Sequence, residues 1–578
     1  MKRRHNLRLG PPSVWRARFV LCGFVVFAAV LGGRAFELQV LHHEFLNREG
    51  DKRYLRSIAV PAVRGTIYDR NGVPLAVSAP TESVWAVPGA LLEAPEKITP
   101  LAAHLEMSAA KLRTTLQANR DRKFLYLQRQ LSPAHARRVM AVGAPGVFLQ
   151  REYRRYYPAA EVAAQLVGIT DIDGRGIGGI ELALNKRLDG EAGSRRVIKN
   201  RLGQVVEDLS GMVPAQPGQD VHLTIDLRLQ SLVYRKVKEA VLAHDAKAGE
   251  AVIMAPDSGE ILAAVSYPSY NPNNRASITP AALRHRAFTD TYEPGSSVKP
   301  LLISQAITTG AFGRQSVIET GGPAFRVSSN LVVHDFRDYG DVTLKRLLVK
   351  SSNIGAAKVG LTLGAKTVWQ AYHAYGLGQR TGIRFPGEAF GVLRPYYSWG
   401  RVETATASYG YGLSVTAVQE ARAYCAIANH GKLPSASLLR GPAAVPPRPP
   451  RQVVPAWAAD RVRELMVAIV TPEGTATLAA VPGYKVAGKT GTVRAIGSAG
   501  GYNDAHQAIF MGMAPADDPA LVMAIMVDEP TKGGYYGGLI AAPIFADVMG
   551  VALRMLRIPP QQSKTLTVDA GVAPGTSS

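Results

Sequence analysis

Three short runs of polar residues fall in one order along the chain: Ser296-Ser297-Val298-Lys299, Ser351-Ser352-Asn353 and Lys489-Thr490-Gly491-Thr492. A serine hydroxyl is a poor nucleophile until a nearby base takes its proton. Lysine is such a base only when neutral, and burial, a helix N-terminus and a second cation each lower its pKa. The i, i+3 spacing puts Lys299 on the helix face of Ser296, one turn on. Ser351 and Asn353 suit a relay that protonates a leaving amine. Lys489 is the candidate second cation, and with the Thr490 and Thr492 hydroxyls it suits a carboxylate. Gly491 removes a side chain where a substrate backbone is expected against the strand edge. The backbone N–H groups of Ser296 and Thr492 are the candidate oxyanion hole. The chemistry implied is acyl transfer through a serine ester.

The elements around each run separate it from its decoys. S-x-x-K also occurs as Ser108-Ala-Ala-Lys111, where Ser108 precedes a polar amphipathic stretch and is expected to cap it. Ser296 instead follows Glu293-Pro294-Gly295, a turn-and-start signal, and leads an apolar helix (Val298, Leu301, Leu302, Ile303, Ala306, Ile307) ending at Gly310. Pro300 is tolerable there because it falls in the first turn. S-x-N recurs at Ser269/Asn271 in a turn-rich loop and at Ser328/Asn330 before a strand-like run. Only Ser351/Asn353 sits between two helical stretches, the rigid setting a relay requires. Lys489–Thr492 continues the strand-like Tyr484-Lys485-Val486-Ala487.

The rest of the chain sets limits. At 578 residues it is expected to hold two or more folded domains. Its 67 basic and 45 acidic residues leave a net charge of +22. The basic residues are scattered, with no zinc-finger spacing or recognisable nucleic-acid motif, so no nucleic-acid partner is inferred; an anionic membrane or polymer surface suits the charge equally. Two cysteines, Cys22 and Cys425, lie far apart and imply no disulfide.

Lys2, Arg3, Arg4, Arg8, Arg16 and Arg18 precede an apolar run from Phe19 to Gly33. Extended to Leu41, this run is long enough for a transmembrane helix, and it then includes Arg34 and Glu37, spaced to pair on one face. The rival is a cleaved signal peptide, with Gly33 and Ala35 before the cut. Phe36, Leu38, Val40 and Leu41 continue the apolar pattern, which favours an anchor over residues 19–41 with the basic tail, residues 1–18, in the cytoplasm.

Residues 42–220 read as a mixed pedestal without chemistry. Arg64 to Gly72 resembles a strand ending in an Asn-Gly turn, Leu101–Leu131 carries helical periodicity, and a helix is expected to follow the basic, aromatic Tyr153–Pro158 as far as Val167. Composition shifts near Pro214–Gly218. The catalytic part, residues 221–558, opens with an amphipathic helix over Leu227–Leu242. Two hairpins follow, one turning at Pro256–Glu260 and a late one at Pro515–Pro519, and Ala541–Leu556 reads as a closing helix. Strands at both ends around a helical middle imply an α/β (α+β) sandwich with an antiparallel sheet flanked by helices. Pro442–Pro455 reads as a proline-rich surface loop, and residues 559–578 as a disordered tail.

With these stretches in hand, the chain resembles the class B penicillin-binding proteins, specifically the division-type (FtsI-like) peptidoglycan transpeptidases. Besides the three runs, the similar segments are Arg64–Gly72, Gly178–Glu181, Ser266–Asn274, Tyr292–Pro300, Ser408–Thr416 and Tyr535–Gly538. The resemblance implies a serine β-lactamase-like domain in which Ser296 attacks the carbonyl between two D-alanines of a stem peptide, an amine of a neighbouring stem resolves the acyl-enzyme, and β-lactams acylate the same serine. It further implies a single-pass protein of the inner membrane with a periplasmic catalytic domain at the division septum, partnered by an FtsW-type polymerase and other division proteins. No metal or cofactor is implied. A β-lactamase, a D,D-carboxypeptidase, an elongation-type relative and an inactive scaffold or β-lactam sensor share parts of the pattern. The anchor and pedestal argue against the first, and intact Ser296, Lys299 and Lys489 against the last.

Overall fold

The computed structural model describes residues 14–42, 44, 55–199, 205–208, 212–441, 449–497 and 501–561. The basic residues before Val14, the first half of the proline-rich loop (442–448) and the C-terminal tail from residue 562 lie outside them.

Helix α1, Val14–Phe36, continues as one π-helical segment, Glu37–Leu41. Together they span roughly 40 Å at about 1.5 Å per residue, more than a hydrocarbon core of about 30 Å. Their apolar side chains, among them Phe19, Phe24 and Phe27, are exposed, and Arg34 pairs with Glu37 at 2.6 Å. The chain divides into two compact units, the first comprising residues up to 62, 80–152 and 191–216. Besides α1, that unit has a core of Leu101, Leu112, Leu116 and Val139 beneath the helices Pro95–His104, Ala109–Ala118 and Pro133–Ala141. Helical periodicity was expected to run on to Leu131, yet Leu125–Leu131 is a strand, with Tyr126 opposite Trp85. There Leu125 and Leu127 recur at a spacing of two, and aromatic cross-strand pairs stabilise a sheet.

The second unit comprises residues 63–79, 153–190 and 217–578, so parts of the expected pedestal pack within it. Arg64 and Arg155 both donate to the buried Glu181 carboxylate, at 2.7 and 2.6 Å, joining two of these segments. A buried carboxylate so paired would be left uncompensated if either arginine were lost. Where a helix was expected after Pro158, the chain makes only a 3-10 turn and a four-residue helix, Ala164–Val167.

The main sheet of this unit has five antiparallel strands: β1 Ala248–Met254, β2 Ile261–Tyr267, β3 Ala487–Ile496, β4 Tyr502–Ala514 and β5 Leu521–Asp528, in the order β2-β1-β5-β4-β3. Both expected hairpins form. β1 and β5 are buried along their whole length, so both faces of the sheet are covered. α2, Leu227–Ala243, packs across β1 and β2. α3, Lys299–Thr308, follows the nucleophile turn; α4, Leu344–Lys350, and α5, Asn353–Leu363, flank Ser351. α6, Ala417–Ala428, lies on β1, β5 and β4 and is almost wholly buried. α7, Ala456–Val467, packs against α3 and β3. The closing helix, α8, begins at Gly537, earlier than its apolar pattern suggests, and ends at Met555. Glycine is required at that start, because a Cβ on Gly537 would lie 2.2 Å from the Ile509 carbonyl of β4.

Candidate active site

The nucleophile candidate is presented by a 3-10 turn, Gly295–Val298, that feeds directly into α3. Pro300 sits in the first turn of that helix, where no intrahelical N–H is needed. Gly295 has φ +55°, and a Cβ there would come within 2.4 Å of Val493 on β3. The turn is therefore pressed between strand β3 and the Tyr409–Gly412 loop, whose Gly410 carbonyl accepts the Gly295 N–H at 3.1 Å. Glu293, just upstream, accepts from Gly412 N–H at 2.7 Å and from the Tyr502 hydroxyl at 2.9 Å.

Lys299 and Lys489 are both wholly buried and converge on Ser351. Lys299 Nζ donates to Ser351 O at 2.7 Å and to Asn353 Oδ1 at 2.8 Å, and lies 3.3 Å from Ser351 Oγ. Lys489 Nζ donates to Ser351 Oγ at 2.9 Å and to Thr490 O at 2.9 Å. Burial, and next the Lys489 charge, hold Lys299 well below the usual lysine range, while Asp335 pulls the other way. Burial alone brings Lys489 down to about 7. A neutral amine has two N–H groups, and the two shortest contacts of Lys299 consume both. Its lone pair is then left for a hydroxyl proton.

Ser351 meets both lysines because it is held in the left-handed conformation, φ +59°, ψ 38°, at the C-cap of α4. A non-glycine residue there is strained, and such strain recurs at functional sites. Ser352 begins the next helix: its Oγ accepts from Gly355 N–H at 2.9 Å and donates to Asp335 Oδ2 at 2.5 Å. Asp335 Oδ1 also accepts the N–H groups of Asn353 at 2.5 Å and Ile354 at 3.1 Å, at the positive end of α5. Sequence reasoning missed Asp335, which belongs to no motif and reaches α5 only through the fold.

Ser296, Ser351, Asn353, Thr490 and Thr492 line one cleft of about 430 Å³, together with Asp335 and the exposed Phe336. Two expectations are modified. Gly491 does not line this cleft: a Cβ there would meet the Pro294 carbonyl at 2.9 Å, so the missing side chain admits the nucleophile turn itself. The Lys489 ammonium is turned into the protein on Ser351 rather than toward an open carboxylate subsite. Thr492 Oγ1 accepts from Gly537 N–H at 3.1 Å, tying β3 to the start of α8. The decoys do other work. Ser108 caps its helix by accepting from Lys111 N–H, Ser269 donates to the Glu161 carbonyl, and Ser328 accepts from Asn330 N–H. No cluster of metal-ligating side chains occurs among the described residues.

Comparison with known proteins follows the same outline. Residues 249–550 match the model of the penicillin binding protein transpeptidase domain, and residues 59–223 that of the penicillin-binding protein dimerisation domain. The chain is 42% identical to a probable peptidoglycan D,D-transpeptidase, PbpC, of Pseudomonas aeruginosa, over 94% of this chain and 96% of that one. It is 38% identical to the peptidoglycan D,D-transpeptidase FtsI of Escherichia coli, over 95% and 93% of the two chains. Among solved structures, the transpeptidase domain of Burkholderia pseudomallei penicillin-binding protein 3 matches with TM-score 0.54 and 39% identity, over 59% of this chain and 98% of that one. Mycobacterium tuberculosis penicillin-binding protein 3, complexed with aztreonam, matches with TM-score 0.68 and 27% identity, over 87% and 98%. Motif geometry, family models and near full-length relatives agree, and the chain belongs to the family of penicillin-binding proteins that join a dimerisation domain to a transpeptidase domain.

Proposed function

We propose that this chain is a membrane-anchored peptidoglycan D,D-transpeptidase that cross-links stem peptides at the division septum and is inhibited by β-lactams. The observation that carries the chemistry is the convergence of two buried lysines on one serine hydroxyl beside Ser296. Ser296 Oγ attacks the carbonyl between the two terminal D-alanines, and Lys299 takes its proton. The N–H groups of Ser296 and Thr492 receive the developing oxyanion. As the tetrahedral intermediate collapses, the proton passes from Lys299 through Ser351, under the Lys489 charge, to the departing D-alanine amine. An amine of a neighbouring stem then attacks the ester, gives up its proton along the same path, and regenerates the Ser296 hydroxyl. Asn353 orients Lys299; Thr490 and Thr492 lie on the strand edge beside which the peptide binds, while Gly491 leaves room for the nucleophile turn. No step calls for a metal or cofactor.

Helix α1 supplies the anchor. By the positive-inside rule its basic N-terminus stays in the cytoplasm, which puts the catalytic unit in the periplasm. An FtsW-type glycan polymerase and other division proteins are the expected membrane partners.

Fluorescent penicillin is expected to label the wild-type protein covalently and not Ser296→Ala; equal labelling of both defeats the assignment. With peptidoglycan substrates, release of D-alanine should be matched by new cross-links, whereas release without cross-links identifies a carboxypeptidase. Depletion in cells should give filaments, and round cells would point to elongation.

A further inference from the structure

Behind the nucleophile turn lies a buried carboxyl that this reaction scheme does not use. Glu420 stands in the first turn of α6 with 1% of its surface exposed. Its Oε2 accepts a 2.9 Å hydrogen bond from the Tyr292 hydroxyl, and its Oε1 meets the hydroxyl of Ser297, the wholly buried residue next to the nucleophile. Ser297 Oγ is also 2.6 Å from the Pro294 carbonyl, across the turn that carries Ser296. One turn along α6, the Tyr424 hydroxyl donates to the Ser297 carbonyl at 2.6 Å. Helix α6 thus grips the side chain and the backbone of the residue beside Ser296.

Counting protons decides the state of this cluster. Three oxygen–oxygen contacts run in a chain, Tyr292 to Glu420, Glu420 to Ser297 and Ser297 to Pro294, and each needs one proton between its oxygens. Tyr292 and Ser297 bring one each, and the Pro294 carbonyl brings none, so the third belongs to Glu420. Were Glu420 ionised, the Ser297 proton would turn to the carboxylate, the stronger acceptor. The Pro294 carbonyl, facing Gly491 in the interior, would then lose its hydroxyl donor. We infer that Glu420 is a positioning residue: as a neutral acid it donates to Ser297, which frees the Ser297 hydroxyl to hold the Pro294 carbonyl and so fixes the turn that aims Ser296. The inference rests on Ser296 being the acylated residue.

The electrostatic surroundings agree. Burial lifts the Glu420 carboxyl to about 7, against the opposing hydrogen bonds from Ser297 and Tyr292. Tyr292 and Tyr424 are the titratable groups facing it, and burial, followed by the Glu420 charge, keeps both phenols protonated. β1, packed on the same helix, contributes Glu250, whose charge acts on Tyr292. Arg286 and Asp290, from the Arg286–Thr289 turn and its end, and Asp528 of β5 act on Glu250 rather than on Glu420. Arg463 of α7 reaches only the far end of α6, at the Ile427 and Ala428 carbonyls.

The test is the rate of acylation by fluorescent penicillin, from about pH 6 to pH 9, in the full chain carrying Glu420→Gln or Glu420→Ala. The amide of Glu420→Gln donates to Ser297 and accepts from Tyr292 at every pH, so the ratio of wild-type to variant rate isolates Glu420. Titration of Lys299 and Lys489 is common to both proteins and cancels. The ratio is expected near one in acid and about fivefold lower in alkali, the size of losing one buried hydrogen bond. The infrared difference spectrum, wild type minus Glu420→Gln, should show a protonated-carboxyl band in acid that vanishes in alkali. Glu420→Ala should be about tenfold slower at all pH values; if it fails to fold, the Glu420→Gln comparison stands alone. A flat ratio, or no protonated-carboxyl band in acid, overturns the inference. If wild type and Ser296→Ala label alike, it is instead the acyl-serine reading that fails.

Discussion

At the scale of residues, the site sets two buried lysine side chains against one serine hydroxyl. Burial, and next the Lys489 charge, lower the pKa of Lys299 and favour its neutral form. The sign of a perturbation follows. Lys489→Ala removes a neighbouring positive charge, so Lys299 holds its proton more tightly and its pKa rises. The acid limb of the acylation–pH profile should move to higher pH, on top of the lower rate caused by losing a contact to Ser351. A limb that stays in place, read with fluorescent penicillin, would show that burial by itself sets the lysine. The three runs of reactive residues were legible in the sequence because each is local. Asp335 was not, since a loop carboxylate gains its purpose only when the fold sets it at the start of α5.

At the scale of elements, the nucleophile turn is a pressed joint among β3, the Tyr409–Gly412 loop and α6. Gly295 takes a positive φ there, and the space its Cβ would need is occupied by Val493. Gly295→Ala should destabilise the protein by roughly 1–3 kcal/mol, from strain and overpacking together. Acylation of the folded variant should slow as well, because Ser296 is the next residue. Denaturant unfolding and penicillin labelling check the two effects separately. Helix entry by Pro-Gly, the apolar periodicity of α2 and both hairpins were readable from sequence. The Leu125–Leu131 strand and the early start of α8 were not, because cross-strand pairing with Trp85 and contact with β4 override the local pattern.

For the molecule as a whole, buried titratable groups make stability depend on pH. Glu420 has a raised pKa in the folded state, so its contribution is complete below about 4.5, its ordinary value, and is lost as pH rises through about 7. The loss is at most about 3.5 kcal/mol, taking about 1.4 kcal/mol per pKa unit. Relative to Glu420→Gln, the wild type should therefore melt at progressively lower temperature between those two pH values and run parallel above them. A constant difference in melting temperature across that window would contradict a buried neutral acid.

The sequence by itself determined which chemical groups this protein carries, their order, and the elements that start and stop around them. A base one turn from a nucleophile, a capping serine and an apolar helix are all fixed over a few residues by backbone geometry and side-chain period. Only the tertiary structure decided that Ser351 and Lys489, 138 residues apart, share a 2.9 Å hydrogen bond. It also decided that Gly491 faces protein rather than the cleft, and that Glu420 lies beneath Ser296 at all. The reason is physical: proton transfer depends on sub-ångström differences in distance and on burial, and neither exists until segments distant in the chain are packed against one another.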